Sequence, residues 1–302
     1  MRIAVTGSSG LIGTRLVDDL RADGHQVLRL VRPQSSTEGG HRDDATVEWD
    51  PRAGTIDAAA LEGLDAVVHL AGVGIGDARW TTDRKAQILT SRTESTSLLA
   101  RTLAKLDAPP KVLLSSSAVG FYGDTGDRIT DESGPPGDDF PARVCQAWER
   151  GTAPAEQAGL RVAHLRTGVV QATQGGALAR QLPFFRLGMG GRSGSGRQYL
   201  SWITLDDELR AIRFLLDHEV EGPVNLVAPE PVTNGEYART LGHVLHRPTT
   251  IIPMFGPRLL FGRELADSLL LVSQRVVPAK LLEAGFDFEH PELDAALHAL
   301  LD

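Results

Sequence analysis

The chain has 302 residues, 41% of them apolar and 23% charged, the composition of a soluble globular protein with one large α/β domain or two unequal ones. Its net charge of −8 gives no electrostatic support for a nucleic-acid partner, and its single cysteine, Cys145, excludes an internal disulfide. No apolar run approaches the roughly 18 residues of a membrane span, and the start M-R-I-A-V-T-G reads as a strand rather than a leader, so a reducing, cytoplasmic compartment is expected.

Taken in chain order, strand-length apolar runs alternate with helical patterns. Ile3 to Val5 reads as a strand, followed by a glycine turn and a helix through Leu11, Ile12, Leu16, Val17 and Leu20 that stops near Gly24. Val27 to Val31 is a second strand, residues 33 to 46 a polar loop with Ser35, Ser36, Gly39 and Gly40, and Val47 to Trp49 a short strand. Ala66 to Leu70 reads as a buried strand, 81 to 106 as a long helix, Lys111 to Ser115 as a strand, 141 to 157 as one helix, and Arg161 to Leu165 as a strand. Such alternation means parallel pairing with right-handed crossovers, hence an α/β doubly wound sheet. Beyond about residue 170 the pattern becomes helical, near 205–217, 235–246, 262–271, 277–284 and 291–300, after a Gly-rich segment at 187–198. The expected division is therefore a domain over 1–170, to which later segments return, and a smaller, mostly helical lobe over 171–302.

The first turn carries the most specific signal. T-G-S-S-G-L-I-G, Thr6 to Gly13, spaces Gly7, Gly10 and Gly13 as G-x-x-G-x-x-G between a strand and a helix. Glycines there permit a tight turn and close approach of a pyrophosphate, and the helix start offers unpaired N–H groups and the positive end of its dipole. Thr6, Gly7, Ser8, Ser9, Gly10, Leu11, Ile12 and Gly13 are thus candidate dinucleotide-binding residues. An acidic residue after the second strand would bind the adenosine ribose, but none occurs between Gln26 and Ser36. Arg32 stands there instead and suits a 2′-phosphate, which favours NADP(H) over NAD(H).

These residues, with "HLAG" (69–72), "LLSSSAVGFYG" (113–123), "LRTGVV" (165–170) and "WITLDD" (202–207), resemble an extended short-chain dehydrogenase/reductase. "RVCQAWE", "GSGRQYLSWI" and "VPAKLLEAGF" (277–286) are similar to one atypical branch, the epimerase family proteins with a C-terminal domain of unknown function. The resemblance implies a Rossmann-type domain and a small polar, sugar-like substrate. It implies that Leu70, Ala71 and Gly72 line the cofactor, that Ser115 and Ser116 lie beside it, and that Thr167, Gly168 and Val169 lie near the nicotinamide. Asp50 would approach the adenine, Ser117 would hydrogen-bond a substrate oxygen, and long helices such as 81–106 would pair two copies into a homodimer.

The family's chemistry uses Tyr-x-x-x-Lys on one helical face, the ammonium lowering the phenol pKa and binding the nicotinamide ribose. Here the residues four after Tyr122, Tyr199 and Tyr237 are Gly126, Ile203 and Leu241, and no lysine lies between Lys111 and Lys280. Alignment on Glu149 puts Pro141 at the tyrosine position and Cys145 at the lysine position. Cys145 is expected to be a packing residue, as is Trp148, and His69 a satisfied core histidine. Tyr122 and Glu149 are the remaining acid–base candidates, although Glu149 equally suits a pairing with Arg166. Arg192 and Arg197 in the Gly-rich segment are candidate phosphate ligands or plain loop residues. Two functions follow: an NADP(H)-dependent oxidoreductase or epimerase with a non-standard site and no metal, or a non-catalytic NADP(H)-binding redox sensor.

Overall fold

The computed structural model describes residues 1–33 and 45–301; most of the expected 33–46 loop, including Ser35, Ser36, Gly39 and Gly40, lies outside them. The first half runs β1 (Arg2–Thr6), α1 (Leu11–Ala22), β2 (Gln26–Val31), β3 (Thr46–Asp50), β4 (Thr55–Ile56), β5 (Ala66–His69), α2 (Thr82–Leu103), β6 (Val112–Ala118), α3 (Phe140–Arg150), α4 (Ala153–Gln157) and β7 (Arg161–Thr167). The second half runs β8 (Val169–Gln171), α5 (Gly176–Arg186), β9 (Gly191–Ser193), β10 (Tyr199–Leu200), β11 (Trp202–Thr204), α6 (Leu205–Asp217) and β12 (Gly222–Leu226). It ends with β13 (Val232–Thr233), α7 (Asn234–Val244), β14 (Thr250–Ile252), α8 (Phe255–Phe261), α9 (Arg263–Leu270), α10 (Ala279–Glu283) and α11 (Leu293–Leu301).

Eight strands form one sheet in the order β12-β7-β6-β5-β1-β2-β3-β4. Every pairing in it is parallel except β3 with β4. The strand order reverses at β1, so the crevice beyond the carboxyl ends of β1 and β5 is the switch point where such sheets bind ligands. The central strands are buried on both faces, which is why they read as continuous apolar runs rather than alternating ones. In β5, Ala66 and Val68 pack on the side of α1 and α6, while Val67 packs on the side of α2 and α4. A separate core joins α5, α7 and α11 around Trp202, giving the helical C-terminal part.

Three local readings need correction. The helix expected over 141–157 breaks into α3 and α4, because Pro154 has no N–H for the carbonyl of Arg150 and its ring crowds that carbonyl. The helix expected over 277–284 begins only at Ala279, after Pro278. The helices α5 and α8 were not legible, each having an internal proline, Pro183 and Pro257, that disguises the helical pattern. β12 lies beyond residue 170 in sequence, yet it closes one edge of the large sheet against β7.

Candidate active site

The three glycines of the first turn do different things. Gly7 has φ +67°, and a Cβ there would lie 2.7 Å from the backbone of Leu70, so this glycine lets the turn press against the end of β5. A Cβ on Gly13 would lie 2.2 Å from the Gly7 carbonyl oxygen, so Gly13 lets α1 pack onto its own turn. Gly10 is exposed, and a Cβ on it would meet only the Gly7 carbonyl oxygen, at 3.3 Å. It is the N-cap of α1 and offers no side chain to the first N–H groups of the helix. That leaves a backbone cradle, open where Ser9 and Gly10 are exposed, whose shape and dipole fit a pyrophosphate.

Thr6 and His69 tie the turn to β5. Thr6 Oγ1 accepts the N–H groups of Leu70 (3.1 Å) and Ala71 (3.2 Å), so its own proton goes to His69 Nδ1 at 2.7 Å. Nε2 of His69 therefore carries the ring proton and donates it to Thr96 Oγ1 at 2.9 Å. Burial pushes the histidine pKa down to about 3, so it is a neutral core group. On the other side of the turn, Arg29 on β2 donates from Nε to Ser8 Oγ at 3.1 Å. Arg32 is exposed just beyond the end of β2. Asp50 uses Oδ1 to accept the N–H groups of Arg52 (2.9 Å) and Ala53 (3.2 Å), which shapes the β3–β4 turn. Arg29, inside β2 and three residues before Arg32, was not singled out in the sequence.

The other end of the cleft is built from β6, β7 and α3. Asp139 caps α3 by accepting the Ala142 N–H at 2.8 Å, and Pro141 sits in the first turn, where its missing N–H costs no intrahelical bond. The position that would hold a tyrosine thus starts the helix instead. Ser117 donates from Oγ to Glu149 Oε1 at 2.7 Å. Glu149 is held by Arg166 in a bidentate pair, Nε to Oε1 at 2.8 Å and Nη2 to Oε2 at 2.9 Å. Arg166 Nη1 also donates to the Tyr122 hydroxyl at 2.9 Å, and its guanidinium stacks 3.5 Å from the centroid of the Phe121 ring. The Tyr122 hydroxyl donates in turn to Asn225 Oδ1 at 2.7 Å, and the Asn225 N–H to Glu132 Oε1 at 3.0 Å.

This network sets the charge states. Burial opposes the Arg166 charge, but the hydrogen bonds and charge of Glu149 outweigh it and hold its pKa above the ordinary value. Burial pushes Tyr122 up to about 12, against the opposing pull of Arg166. The phenol is therefore a fixed hydroxyl bridging β7 and β12, with only 2% of its surface exposed, rather than a group reaching into the cleft. Burial, and after it the Glu149 charge, pushes Cys145 up to about 12, so it stays a thiol.

Ser115 Oγ is buried without a partner, Ser116 is half-buried beside it, and Gly168 passes against the Ser201 carbonyl, which a Cβ would meet at 2.7 Å. Val169 pairs with Trp202, and Thr167 Oγ1 donates to Glu208 Oε1 at 2.8 Å. Glu208 is buried on α6, its Oε2 has no partner, and burial raises its pKa to about 8. Neither Glu208 nor Asn225 was singled out from the sequence, although Glu208 follows the "WITLDD" segment and Asn225 lies in "VNLVAPEPVTNGEYARTLG" (224–242); only the fold brings them beside Thr167 and Tyr122. Arg192 Nη1 donates to the Gly194 carbonyl at 2.5 Å and lines a cavity with Thr233 and Arg239, whereas Arg197 is exposed. Among the described residues no cluster could hold a metal ion, and no helix is long and apolar enough to cross a membrane.

Comparison with known proteins gives a consistent picture. Residues 3–227 match the model of the NAD dependent epimerase/dehydratase family, and residues 252–300 match a domain of unknown function, DUF1731. The chain is 45% identical over 299 residues to the epimerase family protein Mb2239 of Mycobacterium bovis, covering 98% of this chain and 96% of the relative. The crystal structure of human epimerase family protein SDR39U1 (isoform 2) with NADPH superposes with a TM-score of 0.89 at 35% identity, over 99% of each chain. A nucleoside-diphosphate sugar epimerase from Corynebacterium glutamicum gives a TM-score of 0.79 at 36% identity, over all of this chain and 58% of that one.

Proposed function

This chain belongs to the NAD dependent epimerase/dehydratase family, and from that premise we propose that it binds NADP(H) in preference to NAD(H) and performs hydride chemistry on a small polar, sugar-like substrate. The single observation behind the cofactor choice is the pair of guanidiniums at the end of β2, Arg29 on Ser8 and Arg32 beyond it, where an acidic residue would select NAD. The NADPH in the human relative supports the same choice.

When bound, the nicotinamide supplies the hydride donor or acceptor. Ser117 orients the substrate. Because its own proton is given to Glu149, its oxygen accepts from a substrate hydroxyl. In the oxidising direction that proton passes through Ser117 Oγ to Glu149 Oε1, and Arg166 holds the carboxylate in place to receive it. A non-catalytic redox sensor is the second reading. It is favoured by one observation: Tyr122 and Glu149 are bonded to Arg166 and Asn225 within the protein.

Calorimetric titration of the full chain with NADPH and NADH tests the cofactor. Arg32→Ala should weaken NADPH by about tenfold, the worth of one charge-assisted hydrogen bond, and leave NADH nearly unmoved. Equal losses for both would refute the 2′-phosphate role. A screen of carbonyl and sugar-like substrates for NADPH consumption separates enzyme from sensor. Ser117→Ala should reduce any turnover found about a hundredfold, within the usual range for a proton-transfer group; unchanged turnover would remove Ser117 from the mechanism.

A further inference from the structure

Arg92, on α2, is a guanidinium beside α3 and the end of β5 that the network above does not use. Its position follows from its neighbours. Thr96 is level with His69, the last residue of β5, because the two side chains are hydrogen-bonded at 2.9 Å. Arg92 lies one helical turn nearer the start of α2 and therefore stands just past the carboxyl end of β5. Its side chain lies across Gly72: a Cβ on that glycine would be 3.3 Å from Arg92 Cζ and 3.5 Å from Nη2. From the other side, the guanidinium stacks 4.7 Å from the centroid of the Trp148 ring on α3. Arg92 thus bridges α2 and α3 beside Cys145, the position where a lysine is missing.

The hydrogen bonds of Arg92 are incomplete. Nη1 donates to the Val73 carbonyl at 2.9 Å and the Ile88 carbonyl at 3.1 Å. Nε and Nη2 have no hydrogen-bond acceptor among the described residues. The ionisable groups acting on Arg92 are Cys145, which is held as a thiol, and a second cation, Arg84. Glu149, the nearest carboxylate on α3, is already paired with Arg166. Burial works against the Arg92 charge, and among the described residues no carboxylate is ion-paired with it, so a ligand rich in oxygen acceptors suits this cation.

The order of the strands says which ligand meets these donors. The glycine turn that fits the pyrophosphate touches Leu70 and Ala71, and the 2′-phosphate side runs over β2. The other half of a dinucleotide must then cross the ends of β5 and β6, directly past Gly72 and Arg92. We propose that Arg92 binds the nicotinamide mononucleotide half of the cofactor through Nε and Nη2, and so supplies from α2 the cation that α3 lacks. This rests on the dinucleotide reading given above.

The test compares two probes on the full chain: NADPH, and 2′,5′-ADP, which carries only the adenine half. Arg92→Met keeps the stem over Trp148 and removes the donors; it should weaken NADPH about tenfold or more and leave 2′,5′-ADP binding unchanged. Arg92→Lys keeps the charge but loses the fork, and should show a smaller NADPH loss with the same unchanged 2′,5′-ADP. Should the methionine variant not fold, the lysine variant alone still decides. NADPH affinity unmoved in the folded variants, or equal losses for both probes, would overturn the proposal. Wild-type protein binding neither probe would sink the dinucleotide reading and this proposal together, whereas wild-type protein binding both would leave the variants to judge Arg92 alone.

Discussion

The two ends of the cleft are built on opposite plans. At the glycine turn, side chains are absent where a ligand is to lie: Gly7 and Gly13 close the backbone onto itself, and Gly10 opens outward. At the β6–β7 end, side chains with acid–base potential are present, but they are bonded to one another. Ser117, Glu149, Arg166, Tyr122 and Asn225 form a continuous chain from α3 to β12. The first end is shaped for something that is not protein. The second spends much of its polar capacity holding the sheet edge and the C-terminal part together, through Glu132, which also accepts the Lys280 N–H at 3.3 Å.

The sharpest way to break this comparison is to cut the network. Arg166→Met leaves the largely enclosed Glu149 carboxylate with no counter-charge and should cost about 3–5 kcal/mol in urea unfolding. The double variant Arg166→Met/Glu149→Leu should recover part of that loss, since both charges are then gone. A loss below about 1 kcal/mol for the single variant, the level of a surface pair, would mean that the reaction end is not structural after all.

A second effect depends on pH. Glu208 has its pKa raised to about 8 by burial, so the folded protein keeps a proton that the unfolded chain releases above the ordinary carboxylate range. Folding stability is full below the unfolded value of 4.5, falls as pH rises towards about 8, and levels off beyond it. The slope is at most roughly 1.4 kcal/mol per pH unit. Glu208→Gln should lose this decline, so the variant gains on the wild type between pH 5 and pH 8. Parallel stability curves would show that Glu208 is ionised in the folded protein. The smallest effect belongs to the cradle: Gly13→Ala should cost about 1–3 kcal/mol by overpacking against Gly7, with NADPH affinity falling alongside. A variant that is stable and binds normally would show that the turn has slack.

Much of the architecture was readable because it is local. The glycine spacing, the apolar strands and the helix at 205–217 each depend on residues within one turn or one strand, and α6 is found over those residues. The missing Tyr-x-x-x-Lys pair was equally legible, since it is an i, i+4 statement. Prolines blurred the reading where they stand inside or between helices, at Pro154, Pro183 and Pro257.

The sequence by itself determined a parallel α/β sheet with a dinucleotide turn at its start and an α3 helix carrying neither phenol nor ammonium. Only the tertiary structure decided what fills that place. The Glu149–Arg166 pairing stood in the sequence only as an alternative to acid–base work, and periodicity cannot say that Asn225 reaches Tyr122 across 103 residues or that Arg92 comes from α2 to lie beside Cys145. Those pairings are set by which strands lie next to each other. Strand order is a property of the folded sheet, fixed by crossovers and burial rather than by the neighbours of any one residue.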